Sequence, residues 1–209
     1  MTNPIVRTIF AAALIAATAG CSSTPTQFYT LLPVPGGATP KSSAAPFEID
    51  VLSVDVPAQV DRPQIVVREG AGQMVPVETR QWIAPLADEV RGALAGDLSR
   101  TLGARDIDGM QPTPGMPIYR IKLKIGRFES ALGAYARLEA LWTVQRDGEA
   151  KQAITCSSAL SETVAPGYAA LAEGHQRAVA AIAQKIAQAV RAMADGTSAA
   201  ACPVDAAAQ

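Results

Sequence analysis

The chain has a single histidine, His175, and no cysteines at C-x-x-C spacing, so the usual zinc ligand sets have no counterpart in it. No glycine-rich phosphate loop and no G-x-S-x-G nucleophile elbow occurs. No long run of one charge exists either. Eighteen basic residues face 19 acidic ones, which leaves nucleic-acid binding without an electrostatic footprint. Aromatics are scarce at 5%. No segment approaches the roughly 20 apolar residues that cross a bilayer. Each residue that could carry chemistry has a structural reading. His175 lies on the apolar side of a helical pattern and reads as a core residue. Ser157 and Ser158 fall on a strand pattern, and Asp50 and Asp55 read as solvated strand edges. No catalytic residue, metal ligand or cofactor is assigned, and no enzyme activity is expected.

What is present begins at the N-terminus. Arg7 precedes an uncharged, alanine-rich run over residues 9–19, and Gly20 leads into Cys21. A basic start, an apolar middle and a small-residue end make up a secretory signal. The ending "TAGC" resembles a bacterial lipobox, in which the cysteine sulfur takes a diacylglycerol and the chain is cut just before it. Thr18 stands where leucine is usual. The competing reading is an ordinary signal peptide with a free thiol nearby, a liability in an oxidising compartment. Ser22 and Ser23 follow, and no acidic residue, which resembles the sorting signal for the outer membrane of a Gram-negative bacterium. Each acyl CH₂ buried contributes about 0.8 kcal/mol, so two or more chains hold durably.

Loss of residues 1–20 leaves 189 residues, enough for one domain with a true core. Without Arg7, 17 basic residues face 19 acidic ones. The expected organisation is a signal over 1–20, a tether over 21–27, one domain over 28–195 and a loose tail over 196–209. Cys156 and Cys202 either pair as a structural disulfide or stand as two separate thiols.

Residues 28–33 read as a strand, 33–46 as a loop and 47–57 as a second strand. After a turn at Pro63, residues 65–68 and 73–79 form a hairpin. From Pro85 the period changes: Leu86, Val90, Leu94, Leu98 and Leu102 share one helical face, with Asp88 and Glu89 in its early turns and Gly103 as its stop. Residues 118–130 alternate, with Tyr119, Ile121, Leu123 and Ile125 on one face and Arg120, Lys122 and Lys124 on the other, a wet basic face or a surface for an anionic partner. Two more strands surround Asp147 and Gly148. A last helix runs from Tyr168 to Met193. The order strands, helix, strands, helix gives an α+β fold: one mainly antiparallel sheet with two long helices packed on one face.

The strings "DVPAQVDRPQIVVREG" (55–70) and "RQWIAPLADEVRGALAGDLSRTLG" (80–103) resemble the ABC-type transport auxiliary lipoprotein family, whose best-known branch is the paraquat-inducible protein C type. The matching features are the lipobox, Tyr29 and Leu31 of an early Y-x-L strand, residues 61–68, and Trp82, Pro85 and Leu86 at the helix start. "YRIKLKIGRFE" and "LEALWTV" fit the same layout. Gln81 and Ala84 depart from the arginine and acidic residue often found there. The resemblance implies a non-enzymatic lipoprotein anchored through Cys21 to the periplasmic face of the outer membrane. Its implied partners are ABC transporter subunits and an MCE (mammalian cell entry) domain protein, in lipid movement between membranes that supports envelope integrity. It further implies a ring-like homo-oligomer. Asp61, Arg62 and Trp82 are the candidate partner interface. Equally, Asp61 and Arg62 simply form a turn and Trp82 plugs the core.

Overall fold

The computed structural model describes residues 24–32, 44–149, 153–196 and 202–203. The segment expected as a signal, Cys21 and most of the expected tail lie outside the described residues. In chain order the elements are β1 (Gln27–Tyr29), β2 (Glu48–Val51), β3 (Gln64–Glu69), β4 (Gln73–Trp82), α1 (Leu86–Leu102), β5 (Ile118–Ala131), β6 (Tyr135–Arg146), β7 (Ile154–Thr163) and α2 (Tyr168–Ala194). Among the described residues no helix is long and apolar enough to cross a membrane.

Two helices and seven strands give the α+β class expected, but the strands form two mixed sheets and not one mainly antiparallel sheet. One sheet has the order β1-β4-β3 and the other β2-β5-β6-β7. β1 runs parallel to β4, and β2 parallel to β5. Each of these pairs is separated in sequence by other elements, the long connection that parallel pairing requires. Alternating polarity encodes which face a residue takes and says nothing about strand direction. The second strand also stops early, at Val51, beyond which Asp55 makes only an isolated bridge to Lys124.

β2 is buried at all four positions although its sequence is Glu-Ile-Asp-Val. A buried carboxylate needs a cation or several donors, and β2 has both. Glu48 accepts from Arg105 at 2.9 and 2.6 Å and from the backbone N–H and hydroxyl of Thr113 at 2.9 and 2.8 Å. The Thr113 N–H, with help from Arg105, holds its carboxyl below the ordinary value. Asp50, expected at a solvated edge, is instead buried with Arg120 Nε 3.5 Å away.

α2 is the strongest amphipath. Leu171, Ala178, Val179, Ile182, Ile186 and Val190 are buried against β6, β7 and α1. Its approach to the sheet is close at Gly174, where a Cβ would lie 2.4 Å from a Val164 methyl and 3.0 Å from Ala136 Cβ. α1 stops at Gly103, whose φ of 67° allows its N–H to reach the Ser99 carbonyl. This is the glycine stop that the sequence predicts.

The two sheets meet through side chains. Arg68 of β3 reaches Glu129 of β5, with Nε 2.7 Å from one carboxylate oxygen and Nη2 2.8 Å from the other. The Tyr135 hydroxyl donates to the same carboxylate. These donors, Arg68 first, hold the Glu129 carboxyl down at about 2. Cys156 and Cys202 are joined, with Cα atoms 5.5 Å apart, which ties residue 202 to β7.

Two outcomes are expected. Glu129→Gln should lower the unfolding free energy by about 2–3 kcal/mol at neutral pH, since it strands a half-buried arginine. A carboxyl lowered from 4.5 to about 2 stabilises fully above pH 4.5 and loses that contribution as the pH falls through this window. Urea titrations at stepped pH should therefore show the wild-type advantage shrinking below pH 4.5. For the cystine, denatured protein handled without reductant should show no alkylatable thiol at residues 156 and 202. Opening a loop of 46 residues by Cys202→Ser should cost about 3–4 kcal/mol in the same titration.

Candidate functional site

The residues with chemical potential are placed as structural groups. His175 is fully buried on α2, stacked on Phe128 with ring centres 3.9 Å apart, and its Nε2 lies 2.8 Å from the Ser130 hydroxyl. Burial pushes its pKa down to about 3, so the ring is neutral at any physiological pH. Among the described residues its side chain has no solvent exposure. Ser158 is buried, with its hydroxyl accepting from the Trp142 indole N–H at 3.0 Å. Among the described residues no group of three or more His, Cys, Asp or Glu side chains could hold a metal ion.

The structure does bring Asp61, Arg62 and Trp82 together. They line one groove of about 360 Å³ with Phe28, Pro63 and Ile83. The local cause is the end of β4. Between Gln64 and Ile65 the β3–β4 register slips, and the last residues of β4 turn to β1. The Trp82 N–H then donates to Pro63 O on the β3 side at 2.8 Å, and the Ile83 N–H to Tyr29 O on the β1 side at 2.8 Å. The turn carrying Asp61 and Arg62 is closed by N–H donation from Val60 and Asp61 to Pro57 O and pinned by buried Val60.

Trp82 belongs to the inner side of this corner. Only 4% exposed, it meets Phe128 edge-on at 6.0 Å and His175 at 6.5 Å. Its role is to fill the space between the sheets and α2. The outer side has the opposite character. Phe28 aligns with Gln81, while Tyr29 aligns with Trp82, so the strand alternation turns Phe28 and Ile83 outward. They are 56% and 59% exposed. Asp61 and Arg62 are exposed, and among the described residues their side chains form no ion pair. The groove therefore offers a free acid–base pair on one side of β4 and an apolar pair on the other. Gln81 and Ala84, the two departures from the resembled pattern, also line it.

The N-terminal segment is fastened beside this groove. Glu89, buried on α1, accepts from the Leu31 N–H at 2.7 Å and the Thr30 hydroxyl at 2.7 Å. Gln176 of α2 donates to Thr30 O at 3.0 Å. Leu31 is fully buried. Sequence reasoning placed Glu89 near a helix dipole and missed this clamp. It missed Phe28 and Ile83 as well, although the alternation Phe28/Tyr29 and Trp82/Ile83 carried the signal.

Solved structures share this fold. A crystal structure of an uncharacterized protein is 18% identical with a TM-score of 0.62, matching 80% of this chain and 99% of that one. A crystal structure of a Xanthomonas campestris protein of the DUF330 family is 17% identical with a TM-score of 0.56, matching 82% of this chain and 99% of that one. At these identities the likeness concerns the fold alone. No curated protein matches the chain. A family described as ABC-type transport auxiliary lipoprotein component matches residues 29–187, a span that includes all of α1, α2 as far as Ala187, and every strand but the start of β1. The chain belongs to the ABC-type transport auxiliary lipoprotein component family.

Proposed function

We propose that the protein is anchored by acylated Cys21 to the periplasmic face of the outer membrane and serves as an accessory component of an ABC/MCE-type lipid transport system. Its work is positional. The lipid fixes the protein to one membrane, and the domain holds the end of a periplasm-spanning MCE assembly there, supporting envelope integrity. A ring of several copies of the chain would match a ring-shaped partner.

The clamp on the N-terminal segment carries the reading. The segment leading from Cys21 is gripped by both helices through Glu89 and Gln176 by the time it reaches Leu31. A tether fastened this way transmits the position of the membrane to the folded body instead of letting it swing. Membership in a transport auxiliary family supplies the class of partner. The exposed pair Asp61 and Arg62 beside the clamp is the proposed contact, with Trp82 holding the corner in shape from within.

The expected outcomes are specific. Protein with an intact Cys21 should fractionate with the outer membrane, carry acyl chains on that residue, and co-purify with MCE and ABC subunits. Cys21→Ala should release it to the soluble periplasm and abolish recovery of those subunits. Arg62→Glu should leave membrane attachment intact and lower partner recovery about five- to tenfold, the behaviour of a charged rim contact. Recovery of a different envelope complex, with no MCE or ABC subunit, would make the protein a scaffolding lipoprotein.

A further inference from the structure

We propose that the outer corner of the three-stranded sheet, built on Phe28 and Ile83, seats directly against the lipid surface that holds the Cys21 acyl chains. The proposal rests on the reading of Cys21 as the acylated residue and adds a second, non-covalent membrane contact with a defined orientation.

Chain length supplies the first argument. Phe28 follows Cys21 by seven residues. Seven residues span at most about 25 Å when fully extended. A domain of this size is about 40 Å across. Phe28 therefore lies within about 25 Å of the anchor in any arrangement, short of the far pole of the body. The grip of Glu89 and Gln176 on residues 30 and 31 fastens the segment just after Phe28 to both helices.

The chemistry of the corner supplies the second. Phe28 and Ile83 are among the most exposed large apolar side chains described, and both line the same groove. Their neighbours in it include Pro63, Ala84 and Pro85, and the prolines have no N–H to desolvate. The N–H groups of Trp82 and Ile83 already donate to Pro63 O and Tyr29 O. Backbone donors that are satisfied or missing lower the cost of placing the Phe28–Ile83 side at a lipid interface, while the charged Asp61 and Arg62 line the other side of the same groove. Two side chains would not hold a free protein on a bilayer. A tether raises the effective concentration at the surface to the millimolar range, where weak contacts are occupied. Asp61 and Arg62, on the β3 side of β4, stay available to a protein partner.

Trp82, directly beneath the patch, reports on it. The lipidated full chain is reconstituted into phosphatidylethanolamine–phosphatidylglycerol vesicles whose acyl chains carry bromine near the headgroup, and emission is compared with unbrominated vesicles. The protein has two tryptophans, and Trp142 is buried in the other sheet, so quenching of Trp82 should remove up to half of the emission. Phe28→Ser with Ile83→Ser should abolish most of the quenching while the protein still floats with the vesicles. No quenching of the wild type, or equal quenching of the double variant, overturns the proposal. So does a corner that stays unquenched in vesicles while the double variant loses its transporter partner, which would assign the patch to protein. Failure to float at all would instead refute the acyl anchor.

Discussion

Side chains, and not strand pairing, pack the three-stranded sheet against the four-stranded one. Among the described residues the two sheets share no strand pairing. Trp82 wedges edge-on against Phe128, which lies flat on His175, and Arg68 crosses to Glu129. The first contact is apolar and non-directional. The second is a two-point ionic fit that fixes register. Together they set where β4 ends, and that end places the groove, the Asp61–Arg62 turn and the Phe28–Ile83 corner. The same inner contact explains the neutral histidine: a ring pressed on Phe128 in a dry site has nowhere to put a charge.

Buried acids do comparable work elsewhere. Glu48 holds the Arg105 and Thr113 loop, Asp50 faces Arg120, and Glu89 holds the N-terminal segment. Glu48 and Glu89 accept hydrogen bonds from parts of the chain distant in sequence, and Asp50 stands in an ion pair with an arginine 70 residues away. Such polar contacts join segments that hydrophobic contact would leave free to slide. These acids bring N–H donors, hydroxyls and arginines to loops that apolar periodicity cannot specify.

This division explains what was legible in the sequence. The helices were readable because Leu86 to Leu102 and Leu171 to Val190 repeat at helical spacing and their buried faces depend on that spacing alone. β5 was readable from Tyr119 to Ile125, where alternation maps onto one wet and one dry face; beyond it the register shifts before Arg127, and Phe128, Glu129 and Ser130 are buried in succession. The pairing of β1 with β4 and of β2 with β5 was not, since parallel partners lie far apart in sequence and a short strand carries no mark of its neighbour. Asp50 looked solvated because Arg120, its partner, is 70 residues away. The candidate interface was partly legible. Its three residues do converge, yet Trp82 faces inward, and the exposed apolar contacts belong to the residues beside it.

That inversion follows from strand geometry. At the end of β4 the side chains alternate, so a tryptophan committed to the core obliges Gln81 and Ile83 to face out. Parallel pairing with β1 then puts Phe28 outward for the same reason. Moving any of these by one residue would bury Phe28 and expose Trp82, breaking the contact with Phe128 that joins the sheets. The exposed apolar corner is thus coupled to the core through a single register. Because β1 is also the strand that leads back toward Cys21, the constraint that assembles the two sheets settles which surface the N-terminal segment joins.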